Sequence, residues 1–191
     1  MSTIVVVKKG GECCIAADSM TSFGDMQLSA PYDIHHDKIQ VFGNVRLGVV
    51  GSAAHTLVIE NAMKHRDLKA DFSSRDAIFA TLLKLHRILK DEYYLTPKDV
   101  DDDPYESSHI DAVLATPKGI FGIYSLREVY EYNRFWAVGS GAAYALGAMH
   151  GLYGDAKRSA RDIAKAGVEA GAEFDNASAL PMTIRSVKLK D

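Results

Sequence analysis

At 191 residues the chain can bury one full-sized core, which excludes more than a single ordinary domain or two very small ones. Apolar residues make up 47% and charged residues 25%; the net charge of -3, with basic residues scattered, excludes an electrostatic case for nucleic acid or an anionic membrane. No apolar run approaches the roughly 20 residues of a membrane span, and strand-like sequence from Thr3 does not resemble a signal peptide, so a cytoplasmic protein is expected.

In chain order, β-branched Thr3-Ile4-Val5-Val6-Val7, the turn Gly10-Gly11 and Cys13-Cys14-Ile15-Ala16-Ala17 predict a hairpin. Neighbours on a strand point to opposite faces, so Cys13 and Cys14 are expected as unpaired thiols in a reducing compartment. A polar connection from Ser19 to Asp37 follows. Lys38 to Phe42, the turn Gly43-Asn44 and Val45 to Val50 predict a second hairpin. These strands are apolar on both sides, which predicts sheets covered on both faces.

Helical sequence is predicted from Ala53 to Lys69 and again after Ser73-Ser74, where Ile78, Leu82, Leu85 and Leu89 share a face. Ser73 with Asp76 suggests a weak capping box. The stretch from Thr96 to Ser108, with Asp101-Asp102-Asp103, lacks the alternation of a calcium loop and is expected as solvated loop. A third hairpin runs through Ile110 to Ala115, the turn Thr116-Pro117-Lys118-Gly119, and Ile120 to Tyr124. Trp136-Ala137-Val138 predicts a short strand. Helices follow from Ala142 to Tyr153 and from Ser159 to Phe174, the second capped by Ser159 and Asp162, and Met182 to Leu189 closes as a strand. This order predicts an α+β fold of one domain spanning 1–191, a four-layer α/β/β/α sandwich of two antiparallel sheets between helix pairs.

The chemistry starts at Met1-Ser2-Thr3. Initiator methionine is readily trimmed before serine, which would give Ser2 both a hydroxyl and a free α-amine. An α-amine titrates at about 7.7–8.0, so a useful neutral fraction can accept the hydroxyl proton directly or through water. On those residues alone, an ordinary processed terminus remains the better reading.

Together, the segments Ser2-Thr3-Ile4-Val5-Val6-Val7, Ile15-Ala16-Ala17-Asp18-Ser19, Lys38-Ile39, Val50-Gly51-Ser52-Ala53-Ala54, Gly139-Ser140-Gly141-Ala142-Ala143-Tyr144-Ala145 and Asp175-Asn176-Ala177-Ser178 resemble the mature proteasome β-subunit and the bacterial HslV peptidase. The likeness runs in order along essentially the whole chain. It implies Ser2 as nucleophile, Asp18 and Lys38 as the buried acid and base pair beside it, and Gly51 as the oxyanion-hole amide. Ser140, Asp175 and Ser178 would support the mature terminus. Thr21, Ser22, Val49 and Ala53 would bind substrate, and the small uncharged Thr21, Val49 and Ala53 predict a preference for apolar substrate side chains. Core packing stays open for Val49 and Ala53, a strand-end turn for Asp18 and a surface position for Lys38.

The resemblance further implies a self-compartmentalising peptidase of stacked six- or seven-membered homo-oligomeric rings, acting on peptides or unfolded proteins without a cofactor. It leaves open an ATP-dependent unfoldase partner. No propeptide is expected before Ser2, which resembles HslV and the smaller bacterial proteasome-homologue groups, the latter favoured, more than propeptide-bearing subunits. The chain departs from HslV between Asp18 and Lys38, where it is longer and carries Pro31 and His35-His36. Adjacent histidines lack metal-ligand spacing, so a solvated loop is expected there. Gly139-Ser140-Gly141 lacks the spacing of a nucleophile elbow, and the Gly147–Gly151 pair lies in a segment too short to span a membrane. Two other outcomes stay open: a catalytically silent ring subunit, and an N-terminal-nucleophile amidase acting on small amides.

Overall fold

The apolar runs are continuous because alternate residues serve different cores. The computed structural model describes residues 2–64, 68–96 and 103–190, without the side chain of Ala53. In strand β1 (Ile4–Lys9) and strand β2 (Glu12–Asp18), Ile4, Val6, Cys13 and Ile15 point one way, and Val5, Val7, Cys14 and Ala16 the other. Both sets are fully buried. The adjacent cysteines are free thiols, divided between the two faces.

These strands pair antiparallel with each other and with β10 (Phe135–Val138) and β11 (Met182–Lys188), in the order β10-β1-β2-β11. A second antiparallel sheet holds β5 (Ile39–Phe42), β6 (Val45–Val50), β7 (Asp111–Thr116), β8 (Gly119–Tyr124) and β9 (Glu128–Tyr132), in chain order. The sheets stack through Ile4, Val6 and Ile15 against Ile39, Val113 and Ile120. Helices α3 (Ala142–Tyr153) and α4 (Ala160–Phe174) cover the outer face of the first sheet, with Met149, Ile163 and Val168 against Val5 and Val7. Helices α1 (Ala53–Met63) and α2 (Arg75–Asp91) cover the second through Ile59, Ile78, Leu82 and Leu89. The result is the expected α+β sandwich of four layers.

Some local expectations need correction. Helix α1 ends at Met63 with Lys64 as cap, rather than at Lys69. The chain has left the helix by Leu68, which is fully buried in the outer core, and Lys69 has a positive φ of 43°. The cap of α2 is Ser74, one residue later than expected, its hydroxyl accepting from the Ala77 N–H at 3.2 Å. At α4 the expected box forms: Ser159 accepts from the Asp162 N–H, and Asp162 accepts from the Ser159 N–H.

Three strands, in two segments, lie where none was expected. The connection after β2 contains a hairpin, β3 (Thr21–Phe23) with β4 (Met26–Leu28), followed by a 3₁₀ turn at Ala30–Tyr32. The other segment is β9, an edge strand whose Val129 is buried. Asp101 and Asp102 of the expected acidic loop lie outside the described residues. No helix among the described residues is long and apolar enough to cross a membrane.

Candidate active site

Ser2 and Thr3 precede β1, and the pairing of β1 with β2 brings them beside Asp18 at the far end of the hairpin. Asp18 is 1% exposed and accepts four hydrogen bonds. Oδ1 accepts from the Thr3 N–H at 2.9 Å and from Lys38 Nζ at 2.8 Å. Oδ2 accepts from the N–H groups of Met20 at 3.1 Å and Ala179 at 3.2 Å. Four donors is about the full capacity of a carboxylate, so its burial is compensated.

Lys38 immediately precedes β5 in the other sheet, and its side chain crosses to the first. Its ammonium donates to Ser2 Oγ at 3.0 Å while paired with Asp18. Burial pushes the Lys38 pKa below the ordinary lysine value of 10.5, opposed by the charges of Asp18 and Asp175. A desolvated cation touching a hydroxyl favours that hydroxyl's deprotonated form.

A second network reaches the same terminus through Thr3. The Thr3 hydroxyl lies 2.7 Å from Ser178 Oγ. Ser178 donates to Asp175 Oδ2 at 2.7 Å, so the Thr3 hydroxyl is the donor to Ser178. Ser140 also donates to Asp175 Oδ2, at 2.8 Å. Thr3 is fully buried against α4, where a Cβ at Gly171 would collide with its side chain. Gly139, at φ 96°, lets the strand end lie against the Ser2 carbonyl, which a Cβ would strike.

Beside Ser2 opens a cavity of about 450 Å³. Gly51 lines it at φ 112°, a conformation that favours glycine and leaves its backbone exposed. Thr21, Ser22 and Val49 line it as well, and Val49 also packs in the outer core, so both of its readings hold. The Ala53 side chain is outside the described residues.

The expected residues therefore gather in two adjoining groups: Ser2, Asp18 and Lys38 in direct contact, and Ser140, Asp175 and Ser178 joined through Thr3. Thr3 itself was not anticipated, because a strand-start threonine carries no signal without its partners. The Ser19–Asp37 connection was expected as loop, yet Asp33, His35 and His36 line the cavity, His36 Nδ1 lying 2.8 Å from the Asp33 carbonyl. Glu60 of α1 joins them.

No protein-family model matches the chain, and no curated protein does. Solved structures do. Thiobacillus denitrificans BPH, a bacterial proteasome homologue, in complex with epoxomicin, aligns at TM-score 0.91 and 36% identity over 99% of this chain and 100% of that one. A second structure of Thiobacillus denitrificans BPH gives 0.91 and 37% over 98% of each chain. Eukaryotic HslV from Trypanosoma brucei aligns at 0.71 and 17% identity over 97% and 99%, a likeness of fold.

Proposed function

The chain belongs to the proteasome β-subunit/HslV-type family, and on that premise we propose that it is a self-compartmentalising endopeptidase whose nucleophile is Ser2 once Met1 is removed. The observation that carries this reading is the Lys38 ammonium held 3.0 Å from Ser2 Oγ by a buried, saturated Asp18. A surface lysine or a structural ion pair would have no reason to end on the hydroxyl of the second residue.

The Lys38–Ser2–Asp18 contacts support the following steps. The neutral α-amine of Ser2 takes the hydroxyl proton, directly or through one water, as Oγ attacks the scissile carbonyl. Lys38 stabilises the oxygen as it loses that proton. The Gly51 N–H stabilises the oxyanion of the tetrahedral intermediate. Its collapse breaks the C–N bond, and the proton held by the α-ammonium goes to the leaving amine. Water, deprotonated by the same α-amine, then cleaves the Ser2 ester and restores the hydroxyl. Asp175, Ser140 and Ser178 hold the terminus in register through Thr3.

Family membership also supports a homo-oligomeric ring of six or seven copies, stacked in pairs around the sites, acting on peptides or unfolded proteins. Mass spectrometry of the mature protein after epoxomicin treatment tests the chemistry. The expected result is loss of Met1 and one adduct on Ser2. Retained Met1 with no adduct would overturn this reading in favour of the silent subunit. Native mass spectrometry tests the ring; a monomer or dimer that still hydrolyses amides would favour the small-amide enzyme.

A further inference from the structure

The cavity beside Ser2 is not the small uncharged pocket that Thr21 and Val49 alone would make. Two carboxylates reach it from separate elements, Asp33 from the loop before β5 and Glu60 from α1. Among the described residues its one Lys or Arg side chain is Lys38, whose charge Asp18 already matches at 2.8 Å. Without that pair the described lining keeps the carboxylates of Asp33 and Glu60, beside His35 and His36. Its apolar wall comes from Met20, Leu28 and Val49.

Resting on the peptidase reading, we infer that this cavity receives a basic side chain, lysine or arginine, on the substrate residue preceding the cleaved bond. An apolar wall ending in carboxylates suits a side chain with an aliphatic stem and a cationic head. A purely apolar side chain filling the same space would strip water from Asp33 and Glu60 and give nothing in return. An acidic one would meet two like charges. Glu60 is paired with Lys64 at 2.9 Å, but the Lys64 side chain is 65% exposed. A solvent-facing i,i+4 pair of that kind is weak, so a desolvated substrate cation can replace it. Asp33 is held by its own loop, Oδ1 accepting from the His35 N–H at 2.9 Å.

The test uses three fluorogenic peptides that differ only in the residue before the cleaved bond: arginine, leucine or glutamate. The expected kcat/KM is about tenfold or more higher for arginine than for leucine, and lowest for glutamate. The double variant Asp33→Asn, Glu60→Gln should bring the arginine-to-leucine ratio near one. Glu60→Lys should raise glutamate above arginine, a reversal that a loss of folding cannot produce. Preference for leucine in the native chain, or a ratio that neither variant moves, overturns the inference. If epoxomicin labels Ser2 while leucine is preferred or none of the three peptides is cleaved, this inference fails alone. If there is neither label nor cleavage, it fails together with the peptidase reading.

Discussion

The two sides of the cavity are built differently. Ser2, Thr3 and Asp18 are each at most 6% exposed, and their partners come from distant parts of the chain: Lys38 across the sheets, Ala179 and Ser178 near the last strand. The opposite wall, from Thr21 through His36, is a short hairpin and a 3₁₀ turn tied mainly by bonds within itself, such as Asp33 to His35 and to His36. Phe23 and Met26 at its tip are 56% and 70% exposed. Long-range packing fixes the proposed reacting groups, and local turns shape the facing wall of the cavity. Chemistry tolerates little displacement, whereas recognition can be retuned by loop changes.

The sharpest way to break this comparison is at the proposed nucleophile. Ser2→Ala should lower peptide cleavage by about 10⁴-fold or more, because it removes the oxygen that forms the proposed acyl-enzyme. Alanine still permits methionine removal, so the packing of the strand is kept. A fluorogenic peptide assay beside native mass spectrometry should show lost turnover with unchanged assembly. Comparable turnover in Ser2→Ala would move the chemistry elsewhere.

Lys38 comes next. Lys38→Ala should cost about 10²- to 10³-fold in kcat, since it removes the cation from Ser2 Oγ and leaves Asp18 short of one donor. The pH profile gives an independent reading. The rate rises with pH as the α-amine becomes neutral, near 7.7–8.0 for an ordinary terminus. It falls again when Lys38 loses its proton, and because burial lowers that pKa, the alkaline limb should lie below 10.5. In Lys38→Arg, whatever activity survives should lose that limb, because guanidinium does not titrate there. An alkaline limb unchanged in Lys38→Arg would assign it to another group.

The strands were legible because burial on both faces makes them read as unbroken apolar runs, from Ile4 to Val7 and from Ala112 to Ala115. The hairpin β3–β4 was not, since its three-residue strands have no buried position to mark a period, although Gly24-Asp25 between Phe23 and Met26 is a two-residue turn signal. In β9 the alternation around Val129 was the available signal. Asp18, Lys38 and Asp175 were legible through the family resemblance, not through spacing. Asp33 and Glu60 carried no such mark, because they meet only when α1 folds over the loop.

Glycines on the two sides separate packing from chemistry. Gly139→Ala should destabilise the fold by roughly 2–4 kcal/mol, combining a strained positive φ with a clash on the Ser2 carbonyl, and should lower Tm by about 5–15 °C. Gly24→Ala, at φ 57° with open space around its Cβ, meets only the backbone strain. Its cost should be about 1 kcal/mol. Equal Tm losses in the two variants would dissolve the contrast between the buried and exposed sides.

The smallest effect tests a single residue of register far from the site. Ser74 begins α2 with extended backbone and accepts from the Ala77 N–H, so Ser74→Ala should cost about 1 kcal/mol, or 2–4 °C in Tm. Ser73, the position favoured by its spacing to Asp76, turns its hydroxyl as well as its N–H to the exposed Asp71 carboxylate, and alanine would remove only the hydroxyl bond. Ser73→Ala should therefore leave Tm within about 1 °C, because a solvent-facing bond exchanges with water at little cost. Thermal melts of the two single variants decide the matter. A larger loss at Ser73 would place the cap of α2 one residue earlier than Ser74.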